Sequence, residues 1–272
     1  MQFPVYFHLF GLRLHPHPVM EGVAYLAGLG VHLAIKRRIK GEAGLEGTAR
    51  VERSLWEIAG AIVGALVGAR LLAFAENWRA IAALPGVGAG GVGLEQWLGG
   101  KTIVGGLIGG WMGVEVAKRL LGIRHRTGDL WVYPLALAMA IGRVGCFLTG
   151  LADDTYGNHT GLPWGVDFGD GTRHPTQLYD IAALAVMTGV LVVYQRRGRL
   201  GFETGKLFRV FMAMYGAWRF LVEFIKPTDR QYLGLSAIQI ASLGLCAFSV
   251  WSWWRIRSLG VPSETVAAAA VS

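Results

Sequence analysis

"AIGRVGCFLTG", Ala140–Gly150, reads as membrane helix interrupted by an arginine. Arg143 stands between Gly142 and Val144, inside a run that is otherwise apolar or small. An ionised guanidinium among lipid tails costs on the order of a few kcal/mol, because hydrocarbon cannot solvate it. Such a residue turns toward a bundle interior or a wet cavity and meets a partner there. What surrounds this stretch decides the fold, and what Arg143 holds decides the function.

Working outward, 53% of the 272 residues are hydrophobic and only 16% are charged. The apolar residues form seven blocks of spanning length, at roughly 18–35, 55–75, 102–121, 129–150, 176–195, 205–225 and 236–254. Consecutive blocks of this kind cross a bilayer as helices, since each backbone group finds its partner within its own segment. The expected fold is an all-α polytopic membrane protein: about seven transmembrane helices in one bundle, forming a single integral membrane domain over 1–272, with 258–272 as a flexible tail. The third block, "TIVGGLIGGWMGVEVAKRLLG", is rich in glycine, and a partly re-entrant start is considered for it. Gly60, Gly64 and Gly68, then Gly105, Gly109 and Gly113, recur every fourth residue. Small residues at that spacing let helix backbones approach closely, and plain packing is the favoured reading.

The net charge of +8 is distributed as membrane topology rather than as a nucleic-acid footprint. Basic clusters ("IKRRIK", "AKRLLGIRHR", "YQRRGR", "WRIR") sit beside block ends, and no nucleic-acid-binding module is present, so no nucleic acid is expected as a partner. The loops holding Lys36–Lys40, Lys118–Arg126 and Arg196–Lys206 outweigh the alternate set, with Arg79, Lys101, Arg173 and Arg230, so the first set is expected in the cytoplasm. That puts the N-terminus and the loops 76–101 and 151–175 outside, and the C-terminus inside. The first helix is expected to act as its own anchor, no cleavable signal pattern preceding it. Cys146 and Cys246, each within an apolar block, offer neither a disulfide framework nor a CxxC metal site. No metal and no cofactor are expected, and Cys146 reads as a packing residue. "GVGAGG" at 86–91 spells G-x-G-x-x-G but follows no strand, so a dinucleotide fold is set aside.

Four arginines fall inside apolar blocks: Arg70, Arg143, Arg209 and Arg219. Arg209 lies near a helix end and can extend to the interface. Arg70 has Glu76 as a possible partner. Arg219 lies in "MYGAWRFLVEF", where Tyr215, Arg219 and Glu223 at i, i+4 and i+8 share one helix face. Arg143 and Arg219, on separate helices with few acids nearby in sequence, favour an anionic ligand. Phosphate suits them, because a guanidinium presents a rigid fork of donors and stays charged at any relevant pH. In a membrane that phosphate belongs to a phospholipid headgroup. The stretch "GLPWGVDFGDGTRHPTQLYD" adds His174, Gln177 and Tyr179 at the mouth of the fifth helix, where Pro175 suits the first helical position and orphan N–H groups favour an anion. Capping by Thr176 and Gln177, with His174 solvated, is the plainer alternative.

Taken together, these segments resemble the prolipoprotein diacylglyceryl transferase family. "GRVGCFLTG" followed by "YG" is similar to its signature G-R-x-G-N-F-x-N-G-E…G, and "RHPTQLYD" to R-H-P-S-Q-L-Y-E. "MYGAWRFLVEFIKP" resembles Y-G-x-x-R-F-x-x-E-F, "GLSAIQIASL" the late S-x-x-Q-x-x-S, and "VGGLIGG" the H-G-G-L-I-G stretch apart from its first residue. The resemblance implies a multi-pass protein of the bacterial inner membrane, with the lipid bilayer, phosphatidylglycerol and the signal peptide of a prolipoprotein as partners. The diacylglyceryl group would pass to the thiol of the lipobox cysteine, forming a thioether as glycerol phosphate leaves. Arg143, Arg219 and Tyr215 fall on family positions. On this reading Arg143, Arg219 and His174 are the catalytic candidates, and Tyr215, Gln177, Tyr179, Glu21 and Arg70 join the two arginines in binding substrate. The sequence departs from the pattern where Val104 replaces the histidine, Cys146 the asparagine and Leu151 the glutamate, while Glu21 stands where the family has a tyrosine. The candidates for a replacement base are His174, Glu21 and Asp153. Two other readings stay open: a divergent paralogue with another acceptor, and a phospholipid-binding membrane protein without chemistry.

Overall fold

The computed structural model describes residues 3–9, 11–40, 48–82, 100–123, 126–202 and 204–258. The GVGAGG segment and the tail beyond 258 lie outside the described residues. Among those described, the long elements are helices: α1 (Pro16–Lys40), α2 (Thr48–Ala82), α3 (Ile103–Leu120), α4 (Val132–Thr149), α5 (Thr176–Arg196), α6 (Lys206–Val222) and α7 (Ala237–Ser258). Each coincides with one apolar block of the sequence. Five stretches are long and apolar enough to cross a membrane by length and composition: Pro16–Arg38, Leu55–Arg79, Gly128–Asp153, Thr176–Arg196 and Ala237–Arg255. Leu26, Leu66, Val186 and Trp254 lie exposed on these helices, as a lipid-facing exterior requires.

Among the described residues, strands are confined to two short antiparallel pairs. β1 (Phe7–Leu9) pairs with β2 (Leu12–Leu14) ahead of α1, and β3 (Val166–Asp167) pairs with β4 (Thr172–Arg173) between α4 and α5. The second hairpin turns at Gly169 and Gly171, whose amides both donate to Asp167 Oδ1.

The tightest packing is glycine on glycine. α2 and α3 run antiparallel, so that Gly60, Gly64 and Gly68 oppose Gly113, Gly109 and Gly105 in turn. A Cβ on any of these would meet the opposite backbone carbonyl rather than a movable side chain. The glycines of the third block therefore serve a seam, and from Ile103 to Leu120 the block is one continuous helix. Thr102 caps it, its Oγ1 accepting from Gly105 N at 3.2 Å. Gly109→Val should lower the thermal midpoint in detergent, overpacking costing about 1–3 kcal/mol even where neighbours can shift. Gly106→Ala is the control, because its Cβ would meet nothing closer than 3.8 Å. Equal losses from both variants would count against the seam.

The remaining helices surround an apolar core of Val104, Val132, Leu184, Leu191, Leu207, Phe211 and Met212. α1 packs along α4, with Gly28 against Ala138 and Gly145 against Met20. α6 packs on α7 through Gly216 against Ser242 and Cys246. At the end of α4, Gly150 takes φ +70° and the chain enters a 3-10 turn, Gly150–Asp153. That turn carries Asp153 back toward the start of α1.

Candidate active site

Arg143, on α4, is buried and does not stand alone. Its Nε lies 2.8 Å from Asp180 Oδ2, on α5. The same carboxylate oxygen is 3.5 Å from Arg219 Nη1, on α6, and Asp180 Oδ1 accepts from Trp218 Nε1 at 2.7 Å. Arg219 Nη2 in turn donates to Glu223 Oε2 at 2.8 Å, and Glu223 Oε1 accepts from Thr228 Oγ1 at 2.7 Å. The i, i+4, i+8 reading of α6 thus describes the structure: Tyr215, Arg219 and Glu223 are all buried on one face, and Tyr215 lies within the field of both arginines.

Sequence reasoning missed two members of this cluster. Asp180 was quoted only as the last letter of "RHPTQLYD"; its distance of one helical turn from Gln177 was the available signal. Lys226, just beyond α6, is the other, and it is buried as well. Burial, with Arg219 and Arg143 nearby, pushes its ammonium down to about 7. Arg143, Arg219 and Lys226 then stand against Asp180 and Glu223, a surplus of one cation when Lys226 is charged. Gln177 is fully buried on the first turn of α5, and neither its amide oxygen nor its amide nitrogen has a hydrogen-bond partner. Arg219 Nε is likewise without one. Buried polar groups are rarely left unpaired, and these donors suit an anion with several acceptor oxygens.

A second cluster adjoins the first. Arg143 and Cys146 are one turn apart on α4, with Arg143 Nη1 3.9 Å from Cys146 Sγ. Cys146 is buried, and its sulfur, one ring nitrogen of His17 and a carboxylate oxygen of Asp153 all lie within 4.8 Å of one another. His17 Nδ1 is 2.7 Å from Asp153 Oδ1. Cys146 therefore has two polar neighbours beside its packing contacts. Asp153 is brought in as a partner of His17, a residue the sequence reading did not single out, although it shares a helix face with Glu21 four residues on.

The chain matches the family model described as prolipoprotein diacylglyceryl transferase over residues 4–255. The chain belongs to the prolipoprotein diacylglyceryl transferase family. A phosphatidylglycerol–prolipoprotein diacylglyceryl transferase of Nitratidesulfovibrio vulgaris (strain DP4) is 37% identical over 169 residues, which cover 57% of this chain and 60% of that protein. One from Ruegeria pomeroyi is 30% identical over 200 residues, 61% of this chain and 65% of the relative. One from Clostridium tetani is 30% identical over 250 residues, 88% and 92% respectively. The chain therefore spans under two thirds of the first two relatives' length and nearly all of the third's.

Within this diacylglyceryl transferase fold the other sequence candidates fall outside the arginine cluster. His174 Nδ1 is 3.2 Å from Tyr179 Oη, which also accepts from Trp164 Nε1 at 2.9 Å. Pro175 is the N-cap of α5 rather than its first helical residue, and no side chain caps that end. Thr176 Oγ1 donates to the Thr155 carbonyl instead. Glu21 Oε1 accepts from Tyr25 Oη at 2.8 Å and from Lys101 Nζ at 3.1 Å, and Glu21 Oε2 is 4.0 Å from His17 Nε2. Arg70 does not pair with Glu76. Six residues on lies about 240° around the helix, facing away. Arg70 Nη1 donates to the Gly100 carbonyl at 2.7 Å, and Glu76 Oε2 accepts from Ile238 N at 2.9 Å. Arg173 belongs to the hairpin, ion-paired with Asp170 at 2.6 Å, and it holds that carboxyl below its usual range. Arg209 donates to the Gly205 carbonyl and Ser252 Oγ, in keeping with a structural role. Val104, where the family pattern has histidine, is 1% exposed within the apolar core.

Proposed function

We propose that this chain transfers the diacylglyceryl group of phosphatidylglycerol to the lipobox cysteine thiol of a prolipoprotein, at the outer face of the bacterial inner membrane. The observation that carries the reading is the buried cation surplus of Arg143, Arg219 and Lys226 over Asp180 and Glu223, in a member of this family. A phosphodiester bears one negative charge, and one cation of Arg143, Arg219 and Lys226 is left over after Asp180 and Glu223. Drawing the phosphate in would keep Lys226 charged. Asp180 takes the Nε side of Arg143, and the Nη side, which has only the long contact to Cys146 Sγ and the Tyr215 hydroxyl beside it, is the side offered to phosphate oxygens. As the thiolate sulfur attacks the primary carbon of the diacylglycerol, the carbon–oxygen bond breaks and its electron pair stays on the departing phosphate. Arginines fixed in advance around that phosphate lower the barrier, because they need no reorganisation as charge grows.

The test is direct. Full-length protein in phosphatidylglycerol vesicles, given a lipobox peptide, is expected to release glycerol phosphate and to add a diacylglyceryl mass to the peptide cysteine. Absence of both products overturns the reading. Glycerol phosphate release with an unmodified peptide favours the paralogue with another acceptor, which the valine at 104 and the cysteine at 146 recommend as the second reading.

The reading includes seven spans with the N-terminus outside. Single cysteines at Asn158 and Lys40, in a chain with Cys146 and Cys246 replaced, report on it. An impermeant thiol reagent on intact cells is expected to label position 158 and not 40. The reverse pattern would invert the topology and remove the acceptor from reach.

A further inference from the structure

We propose that His17, Cys146 and Asp153 form a zinc site whose open position takes the acceptor thiol. Three elements supply the donors: the first turn of α1, the last turns of α4 and the 3-10 turn that follows it. An imidazole nitrogen, a thiolate sulfur and a carboxylate oxygen make a set that selects zinc over magnesium or calcium, which prefer oxygen alone. Zinc bonds of about 2.0–2.3 Å place tetrahedral ligands about 3.4–3.8 Å apart. The donor atoms lie within 4.8 Å of one another, so side-chain rotations that part His17 Nδ1 from Asp153 Oδ1, now 2.7 Å apart, and draw in the sulfur complete the shell.

The surroundings argue for a metal more than for a simple hydrogen-bonded pair. A ligating histidine characteristically directs its other ring nitrogen to a carboxylate, and a ligating carboxylate is itself hydrogen-bonded. Asp153 shows the second feature, and Glu21 is a carboxylate close to, though not hydrogen-bonded to, His17. His17 turns Nδ1 toward the cluster, and its Nε2 lies 4.0 Å from Glu21 Oε2. Glu21 is fixed by Lys101 and Tyr25. Asp153 presents Oδ1 to the cluster while Oδ2 accepts from Thr155 Oγ1 at 2.6 Å. Arg143, whose Nη1 lies 3.9 Å from Cys146 Sγ, has its charge offset by Asp180 at 2.8 Å.

Three protein ligands and one open position are the arrangement of zinc sites that bind a reactant. Coordination deprotonates a thiol outright. The acceptor cysteine would lose its proton to water on binding, and its sulfur would then form the new carbon–sulfur bond. The carbon–oxygen bond to phosphate breaks, the electron pair leaves with glycerol phosphate, and a solvent proton completes that product. The role assigned to the fourth position rests on the transferase reading; the metal site itself does not.

The experiment separates the two. Purified full-length protein, titrated with zinc chloride in detergent and measured by elemental analysis after gel filtration, is expected to hold one zinc per chain. Exchange for cobalt should give the intense near-ultraviolet thiolate-to-cobalt band and the visible bands of a tetrahedral site. Cys146→Ser and Cys146→Ala should both lose the near-ultraviolet band while keeping the melting profile of the metal-free wild type. Glu21→Gln should keep the band and weaken zinc by about 10–100-fold. Wild-type protein that takes up no zinc, or a charge-transfer band that survives loss of Cys146, overturns the site. If zinc binds as described but its removal leaves lipobox transfer at full rate, the thiol-activating role is overturned and the transferase stands. If zinc-loaded protein never transfers lipid, the transferase reading falls and the metal site stands.

Discussion

Arg143→Ala is expected to lower diacylglyceryl transfer by about 10²–10³-fold, the usual consequence of removing one group that stabilises developing charge. Arg143→Lys should be nearly as damaging. It keeps the charge, but a point ammonium cannot hold Asp180 through one nitrogen while presenting two more to a phosphate. A purely structural arginine makes a different forecast, in which activity and thermal midpoint fall together in both variants. The decisive measurement pairs the transfer rate with the melting temperature of each variant in detergent. A well-folded Arg143→Lys protein working at close to the wild-type rate would remove the phosphate role and leave it to Arg219, Lys226 and Tyr215.

Asp180→Asn carries the largest expected effect on stability. Removing one partner of a buried ion pair typically costs about 3–5 kcal/mol, because the other charge is left without compensation in a poorly solvating interior. Here a single carboxylate faces two guanidinium groups, at 2.8 and 3.5 Å. Taking away an arginine as well should return part of that loss, so Asp180→Asn with Arg143→Met should melt above Asp180→Asn alone. Strict additivity of the two substitutions would mean that the contact is not energetically coupled. Added phosphatidylglycerol should raise the midpoint of Asp180→Asn more than that of the unmodified protein, since a bound phosphate neutralises the exposed surplus.

Features with a short range along the chain were legible before any coordinates. Each apolar block became a helix, since block length and hydropathy are properties of contiguous residues. Tyr215, Arg219 and Glu223 were placed on one face by helical period alone. The glycine rows were readable as close-packing surfaces, although their mutual opposition became visible only once α2 and α3 were side by side. What escaped were meetings between distant segments. Periodicity could not announce that Asp180 neutralises Arg143, and the arginines looked more isolated than they are. His17 sits at the edge of the first apolar block, more than a hundred residues from Asp153, so their encounter was invisible. The Arg70–Glu76 pairing failed on simple geometry, the two side chains leaving their helix in different directions.

Arg143 and Cys146 occupy neighbouring rungs of one helix, so the places meant for the departing and arriving groups share a single angular setting. Inserting one residue between them would turn one against the other by about 100°. Both chemistries would survive intact, each aimed past its counterpart. The spacing of two letters in α4 acts here as a timing mark: it fixes not which reactants bind but whether they ever come into line.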